Sequence, residues 1–267
     1  MTSDFSSSAA RGINKAQSKL QDIFTKLASG SRINKAKDDP AGLAVAASLD
    51  AVATTLSQGS RNVSDTQSAL DVADSALGQI SDIGSRLQEL ATQASNGTLS
   101  DDQRAALQNE YSQLTQEVQR ITETTQFNGK QVLKGDSIST QVGTDSSSGS
   151  RVNFPGVNVS DVVSSVASGN ISSQASAQSA IDQVQSLISN VASTRGEIGA
   201  VSNRLETAQK NNESSKDEAI AAASRIRDVD VADETAKLVA EKIKLQSSTA
   251  LSAQANQTKA VVQQLLS

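Results

Sequence analysis

Residues 43–94 read LAVAASLDAVATTLSQGSRNVSDTQSALDVADSALGQISDIGSRLQELATQA, and one stripe recurs every seventh position as Leu49, Leu56, Val63, Leu70 and Leu77. A second line, offset by three, passes through Val52, Ala73, Ile80 and Leu87. Apolar lines at that offset and that repeat mark a long helix that packs along a seam against other helices. Gly59, Thr66 and Gly84 interrupt the seam with small residues. They lower intrinsic helix stability and predict close approach of a neighbouring helix.

Working outward, Ser95-Asn96-Gly97-Thr98 is a helix stop, and Ser100-Asp101-Asp102 is an acidic start for a second helix. That helix has its own stripe, Leu107, Tyr111, Leu114, Val118 and Ile121, so it can lie antiparallel against the first. Near residue 125 the pattern changes. Gln126-Phe127-Asn128-Gly129 reads as a turn, and the Val-, Thr-, Gly- and Ser-rich chain beyond it predicts short strands at Val132-Leu133, Ile138 to Val142 and Arg151 to Phe154. Residues 160–178 are ambiguous between loop, turn and a frayed helix start. Helical spacing resumes at Ile181, Val184, Ile188, Val191, Ile198 and Leu205, a third long helix.

Both chain ends also read as amphipathic helices. The front carries Ile13, Ala16, Leu20, Ile23 and Leu27, and the back carries Leu238, Val239, Ile243, Leu245, Val261, Val262, Leu265 and Leu266. Such a helix is marginal alone in water, so the ends must find each other or another molecule. The predicted fold class is mainly α: a long antiparallel helical bundle with a terminal coiled coil and a small β-hairpin region at about 126–160.

Composition removes most chemistry. The 267 residues hold no Cys and no His, which excludes thiolate nucleophiles, disulfides, imidazole bases and Cys/His zinc sites. With 24 Lys and Arg against 29 Asp and Glu, the net charge of −5 argues against nucleic-acid binding. Only four Phe and one Tyr are present, so stacking platforms for single strands are missing as well. No stretch of about 18 apolar residues runs together, so no membrane insertion is expected. The N-terminus lacks an apolar segment behind a basic one, so export by a conventional cleaved signal is not expected either.

Two acidic groups invite a metal or acid–base reading: Asp38 with Asp39, and Asp228, Asp230, Asp233 with Glu234. Each precedes a helical pattern, and Pro40 suits a first turn, so helix capping accounts for both without a ligand. No glycine-rich loop follows a strand and opens a helix, and the EF-hand spacing is absent. Neither an enzyme nor a cofactor or metal protein is expected. The Asn-X-Ser/Thr triplets at Asn62, Asn96, Asn158, Asn170 and Asn212 arise by coincidence in so Ser- and Asn-rich a chain.

Long helices whose apolar stripes one copy cannot cover predict a self-assembling structural subunit, because repeated contacts that do not close generate a helical polymer. A coiled-coil adaptor of fixed oligomeric size shares part of this pattern. The sequence also resembles the bacterial flagellins, through Leu27-Ala28-Ser29-Gly30-Ser31-Arg32-Ile33-Asn34, Lys37-Asp38-Asp39-Pro40-Ala41-Gly42, Leu90 to Thr98 and Thr125 to Gly129. Its C-terminal half adds Gly199 to Leu205, Ser224 to Asp230 and Ala253-Gln254-Ala255-Asn256-Gln257. Residues 1–11 depart from the apolar, Asn-rich opening usual in that family.

The resemblance implies an inner coiled-coil domain of 1–41 with 223–267 and a middle domain of 42–222, in a minimal form without outer variable domains. It implies a secreted, extracellular filament used for motility, built as a homopolymer, with an export chaperone, filament cap and junction proteins as partners. A hook–filament junction protein is the alternative within the same resemblance. Assembly candidates are Ile13, Leu20, Ile23, Leu27, Leu238, Ile243, Leu245, Val262, Leu265 and Leu266. The resemblance further places a recognition patch for an animal Toll-like receptor at Arg86, Leu90 and Glu110. Those residues read equally well as interhelical and subunit contacts.

Overall fold

The computed structural model describes the backbone of residues 2–266, and the side chains of those residues except 2–6, 9, 259 and 262–266. The order of elements is α1 (Thr2–Ser29), α2 (Pro40–Ala94), α3 (Asp101–Thr124), β1 (Gln126–Phe127), β2 (Lys130–Gln131), β3 (Ile138–Gln141), a 3-10 turn (Ser148–Ser150), β4 (Arg151–Phe154), α4 (Ser160–Ala167), α5 (Gln174–Arg227) and α6 (Val231–Leu266). They fall into two compact units, Met1–Ala53 with Asp217–Ser267, and Thr54–Lys216.

In the second unit the heptad seam of α2 is the spine of the core. Val63, Leu70, Leu77, Ile80, Leu87 and Leu90 are fully buried there, together with Tyr111 and Val118 of α3 and Val184, Leu187 and Leu205 of α5. Cross-helix contacts give the directions. Arg104 reaches Ala94, and Arg86 reaches Glu110, so α3 runs antiparallel to α2. Arg195 reaches Asp74, and a Cβ added at Gly84 would sit 3.1 Å from Ile188, so α5 does the same. Gly84 thus admits a helix, as its place in the seam predicts. Gly59 differs: the atom that leaves no room for a Cβ is the carbonyl oxygen of Val142, at the end of the β3 hairpin. Thr66 shares a buried hydroxyl pair with Thr140 of β3, at 2.7 Å. The interruptions therefore admit a hairpin at one end of the seam and a helix at the other.

Chain reversals follow local chemistry. Ser100 and Gln103 form a reciprocal capping box at the start of α3. The C-terminus of α2 is closed by the side chain of Arg104, which donates to the carbonyls of Ala94 and Asn96 while remaining only 7% exposed. Asn128 and Gly129 take positive φ of 48° and 79° and form a two-residue turn between β1 and β2. The strand expected at Val132-Leu133 lies instead at Lys130–Gln131, because this tight turn pairs the residues beside it. Val132 and Leu133 are buried in the following turn. The β3–β4 hairpin pairs Ile138 with Phe154 through Gln141 with Arg151. Residues 160–178 hold α4 and the start of α5. The third long helix continues well past Leu205, to Arg227.

In the first unit α1 begins at Thr2, so the unusual opening sequence does not interrupt the helix. Among the described helices α2 alone has the length and apolarity to cross a membrane, with a mean hydropathy of 1.2 in its most apolar 18 residues. Ser48, Asp50, Thr54 and Thr55 break that apolar run near its start, and its later turns carry the packed seam.

Candidate functional site

The sequence assigns interaction to the two ends of the chain, and the first unit pairs them. Lys19 of α1 meets Glu241 of α6 at 3.3 Å, and a Cβ at Gly12 would lie 3.7 Å from Ser248, so α1 and α6 are antiparallel. On α1 the buried line is Ala16, Leu20 and Ile23, extended by half-buried Ile13 and Leu27. These residues alternate spacings of three and four, which puts them on one face.

The face that α6 presents to α1 is less apolar. Glu234 and Glu241 are buried at 5% and 8% exposure, and Leu238, Leu245, Ser248, Ser252 and Ala255 are half-buried between and beyond them. Glu241 accepts from Lys244 at 2.9 Å and from Lys19 at 3.3 Å. The hydrogen bond from Lys244 holds its carboxyl below the ordinary range; burial opposes this, and Lys19 adds to it. Glu234 accepts from Lys237 at 3.2 Å. A buried carboxylate is tolerable only with such partners.

The opposite face of α6 is apolar and open. Ala232, Ala236, Val239, Ile243 and Ala250 are exposed along one stripe broken by Gln246. Val239 and Ile243 are 56% and 57% exposed. Val231, Leu251 and Val261 add to the open apolar surface, as does Phe24 on α1, with Lys242 lying 5.9 Å from its ring. Of the sequence-based candidates, Leu20 and Ile23 lie within the α1–α6 seam, Ile13, Leu27, Leu238 and Leu245 at its margins, and Ile243 on the open stripe. Val262, Leu265 and Leu266 lie outside the described side chains. The openness of Val239, Leu251 and Phe24 was not legible from periodicity, which shows that a helix has an apolar face but not what covers it.

The other candidate residues sit in the second unit. Arg86 Nε and an Nη donate to Glu110 at 3.0 and 2.8 Å, and its other Nη donates to Glu89 at 2.8 Å. These bonds raise the guanidinium's already high pKa, with Glu110 the larger contributor. Arg86 and Glu110 remain about half exposed, whereas Leu90 is 1% exposed and packs in the core. A surface partner would thus reach the ion pair and not the leucine.

One residue of each acidic group caps a helix. Asp39 accepts from the Gly42 amide at the start of α2, and Asp230 accepts from the amides of Ala232 and Asp233 at the start of α6. Among the described residues no group of His, Cys, Asp and Glu could hold a metal ion. Tyr111, whose hydroxyl pKa burial pushes up to about 12, is a packing residue with its hydroxyl 3.4 Å from the Val166 carbonyl.

Residues 2–138 match the family model described as the bacterial flagellin N-terminal helical region, and residues 181–266 match that of the C-terminal helical region. The chain is 40% identical over 257 residues to the flagellin of Halalkalibacterium halodurans, covering 96% of this chain and 94% of that one. It is 35% identical over 261 residues to the flagellar filament 30.7 kDa core protein of Treponema maltophilum, covering 92% and 90%. The crystal structure of Bacillus cereus flagellin superposes with a TM-score of 0.52 at 30% identity, covering 57% of this chain and 88% of that one. The structure of a flagellar hook-associated protein from Vibrio parahaemolyticus gives a TM-score of 0.60 over 72% of this chain and 100% of that one. At 13% identity, that second likeness concerns the fold alone.

Proposed function

Since the chain belongs to the bacterial flagellin family and is a structural subunit of the flagellar filament, we propose that the paired helices α1 and α6 are its polymerisation element. In this reading 1–41 with 223–267 form the inner domain, and 42–222 the middle one. The observation that carries it is the open stripe of α6, Ala236, Val239 and Ile243, which the pairing with α1 leaves in water. Covering one Val or Ile side chain is worth about 1.5–3 kcal/mol, and a helical polymer repeats that gain at every subunit.

The test is seeded elongation watched by electron microscopy. The full chain is expected to form long filaments, and a chain ending at residue 230 to form none. Val239→Asp with Ile243→Asp should abolish elongation while the middle unit melts at its usual temperature. Filaments of normal yield from that double variant would place polymerisation elsewhere. Discrete particles from the full chain under every condition would favour the hook–filament junction protein or the fixed-size adaptor.

The finer partners follow from the same reading. The subunit leaves the cell unfolded through the flagellar export channel, carried by a chaperone that shields the α6 stripe, and is added beneath a filament cap beyond the junction proteins. Its role is mechanical, and it catalyses no reaction. Receptor recognition rests on the half-exposed Arg86–Glu110 pair. In a receptor-reporter assay Arg86→Ala should lower the response of the monomer, and an unchanged response would remove the receptor from the partners.

A further inference from the structure

Between residues 200 and 267 the sequence has neither Gly nor Pro, yet the helix stops at Arg227 and restarts at Val231. Helices ordinarily end on a residue that supplies a left-handed cap or cannot continue. Here Asp228-Val229-Asp230 supplies neither. At the stop, the linker after α1, about 195 positions away in sequence, reaches the last carbonyls of α5. The guanidinium of Arg32 donates to the Ile226 carbonyl at 2.7 Å, its backbone amide to the Arg227 carbonyl at 2.6 Å, and the Ser31 hydroxyl to the same carbonyl at 3.1 Å. In return the Val229 amide donates to the Gly30 carbonyl at 3.0 Å, and Ser31 pairs with Asp228 as an antiparallel bridge.

The carbonyls of Ile226 and Arg227 are the ones that the amides of Asp230 and Val231 would take if the helix ran on. Arg32 and Ser31 hold them first. We infer that Arg32 is the C-cap of α5, supplied from across the fold, and that its release fuses α5 and α6 through residues 228–230 into one helix. Asp230 assists from the other side by capping the first turn of α6. That contribution is local and does not occupy the carbonyls of α5. The residues that follow α1 therefore decide where α6 begins, which gives the N-terminal linker control over the element that pairs with α1.

The test uses the full-length chain, labelled with carbon-13, and reads the Cα shift of Val229 by NMR. In the parent chain Val229 is non-helical. Arg32→Pro with Ser31→Ala removes the guanidinium, the backbone amide and the hydroxyl together and is expected to move it downfield to a helical value, whereas Asp230→Ala with Ser31 and Arg32 in place leaves it non-helical. A non-helical Val229 in Arg32→Pro with Ser31→Ala overturns the inference. A helical Val229 in Asp230→Ala alone would also overturn it, because the break would then be local.

Discussion

The two units bury different things. Between Thr54 and Lys216 the interior holds Leu70, Leu77, Leu87, Tyr111, Leu187 and Leu205, each at or below 1% exposure. In the other unit the most buried apolar residues are Ala46 and Ala223 at 1%, followed by Ile33 at 4%, with Leu20 and Ile23 at 8% and two glutamates inside the seam. Large aliphatic side chains packed from three helices give a core that stabilises itself. Alanines and paired carboxylates exclude water but contribute little, and several larger apolar side chains, Phe24, Val239, Ile243 and Leu251 among them, face outward. In the proposed reading the first unit is the one that further copies complete.

The sharpest way to break this contrast is to cut the strong core. Leu187→Ala should cost about 2–5 kcal/mol in denaturant unfolding of the middle unit. A loss below about 1 kcal/mol would mean that the site collapses around the gap and that the core is less rigid than its burial suggests. Next in size is Arg104→Met, which leaves the buried carbonyl of Ala94 without its side-chain donor and takes from the Asn96 carbonyl one of its two donors, the other being the Leu99 amide. We expect about 1–3 kcal/mol in the same assay, together with faster amide exchange in the turn that follows α2. Ser100→Ala removes the hydroxyl half of the capping box. About 0.5–2 kcal/mol should be lost, with the exchange increase confined to the first turn of α3.

The smallest effect tests the weak unit. The folded-state pKa of Glu241 lies below its ordinary value of 4.5, so its contribution is present above that pH and is lost as pH falls through the folded value. Pairing of α1 with α6, followed by amide exchange in α6, should hold from neutral pH to about 4.5 and weaken in stronger acid. Glu241→Gln should flatten that acid limb. An unchanged acid response in the variant would assign it to other carboxylates.

Most of the helices were readable from residues alone, for reasons seen at particular positions. The seam through Val63, Leu70 and Leu77 repeats over enough turns that no strand could satisfy it, and these residues are buried as the repeat demands. Arg151 to Phe154 forms the strand its composition suggests, whereas Val132-Leu133 does not, because short apolar pairs carry no period. Residues 206–227 continue α5 without a legible stripe, since Thr207, Asn211, Asn212, Ser214 and Ser215 dilute it. Asn212 is nevertheless buried, donating to the Val142 carbonyl at 3.0 Å. Polar residues with a dedicated partner are invisible to a hydrophobic period. Arg86, Leu90 and Glu110 stand out only by resemblance, and nothing in their spacing separates the exposed pair Arg86–Glu110 from the buried Leu90.

By itself the sequence determined that long helices would form, where α3 would start, that Asn128-Gly129 would turn, and that catalysis by Cys or His was impossible. Those are properties of neighbours along the chain: propensity, capping, left-handed backbone and the chemistry of the side chains present. Only the tertiary structure decided which face of α6 is covered, why α5 stops at Arg227, and that Gly59 makes room for a hairpin carbonyl. Each of those depends on a group far away in sequence that reaches a carbonyl or a face first. A periodic pattern records that a surface wants a partner, and competition among partners in three dimensions settles which one it gets.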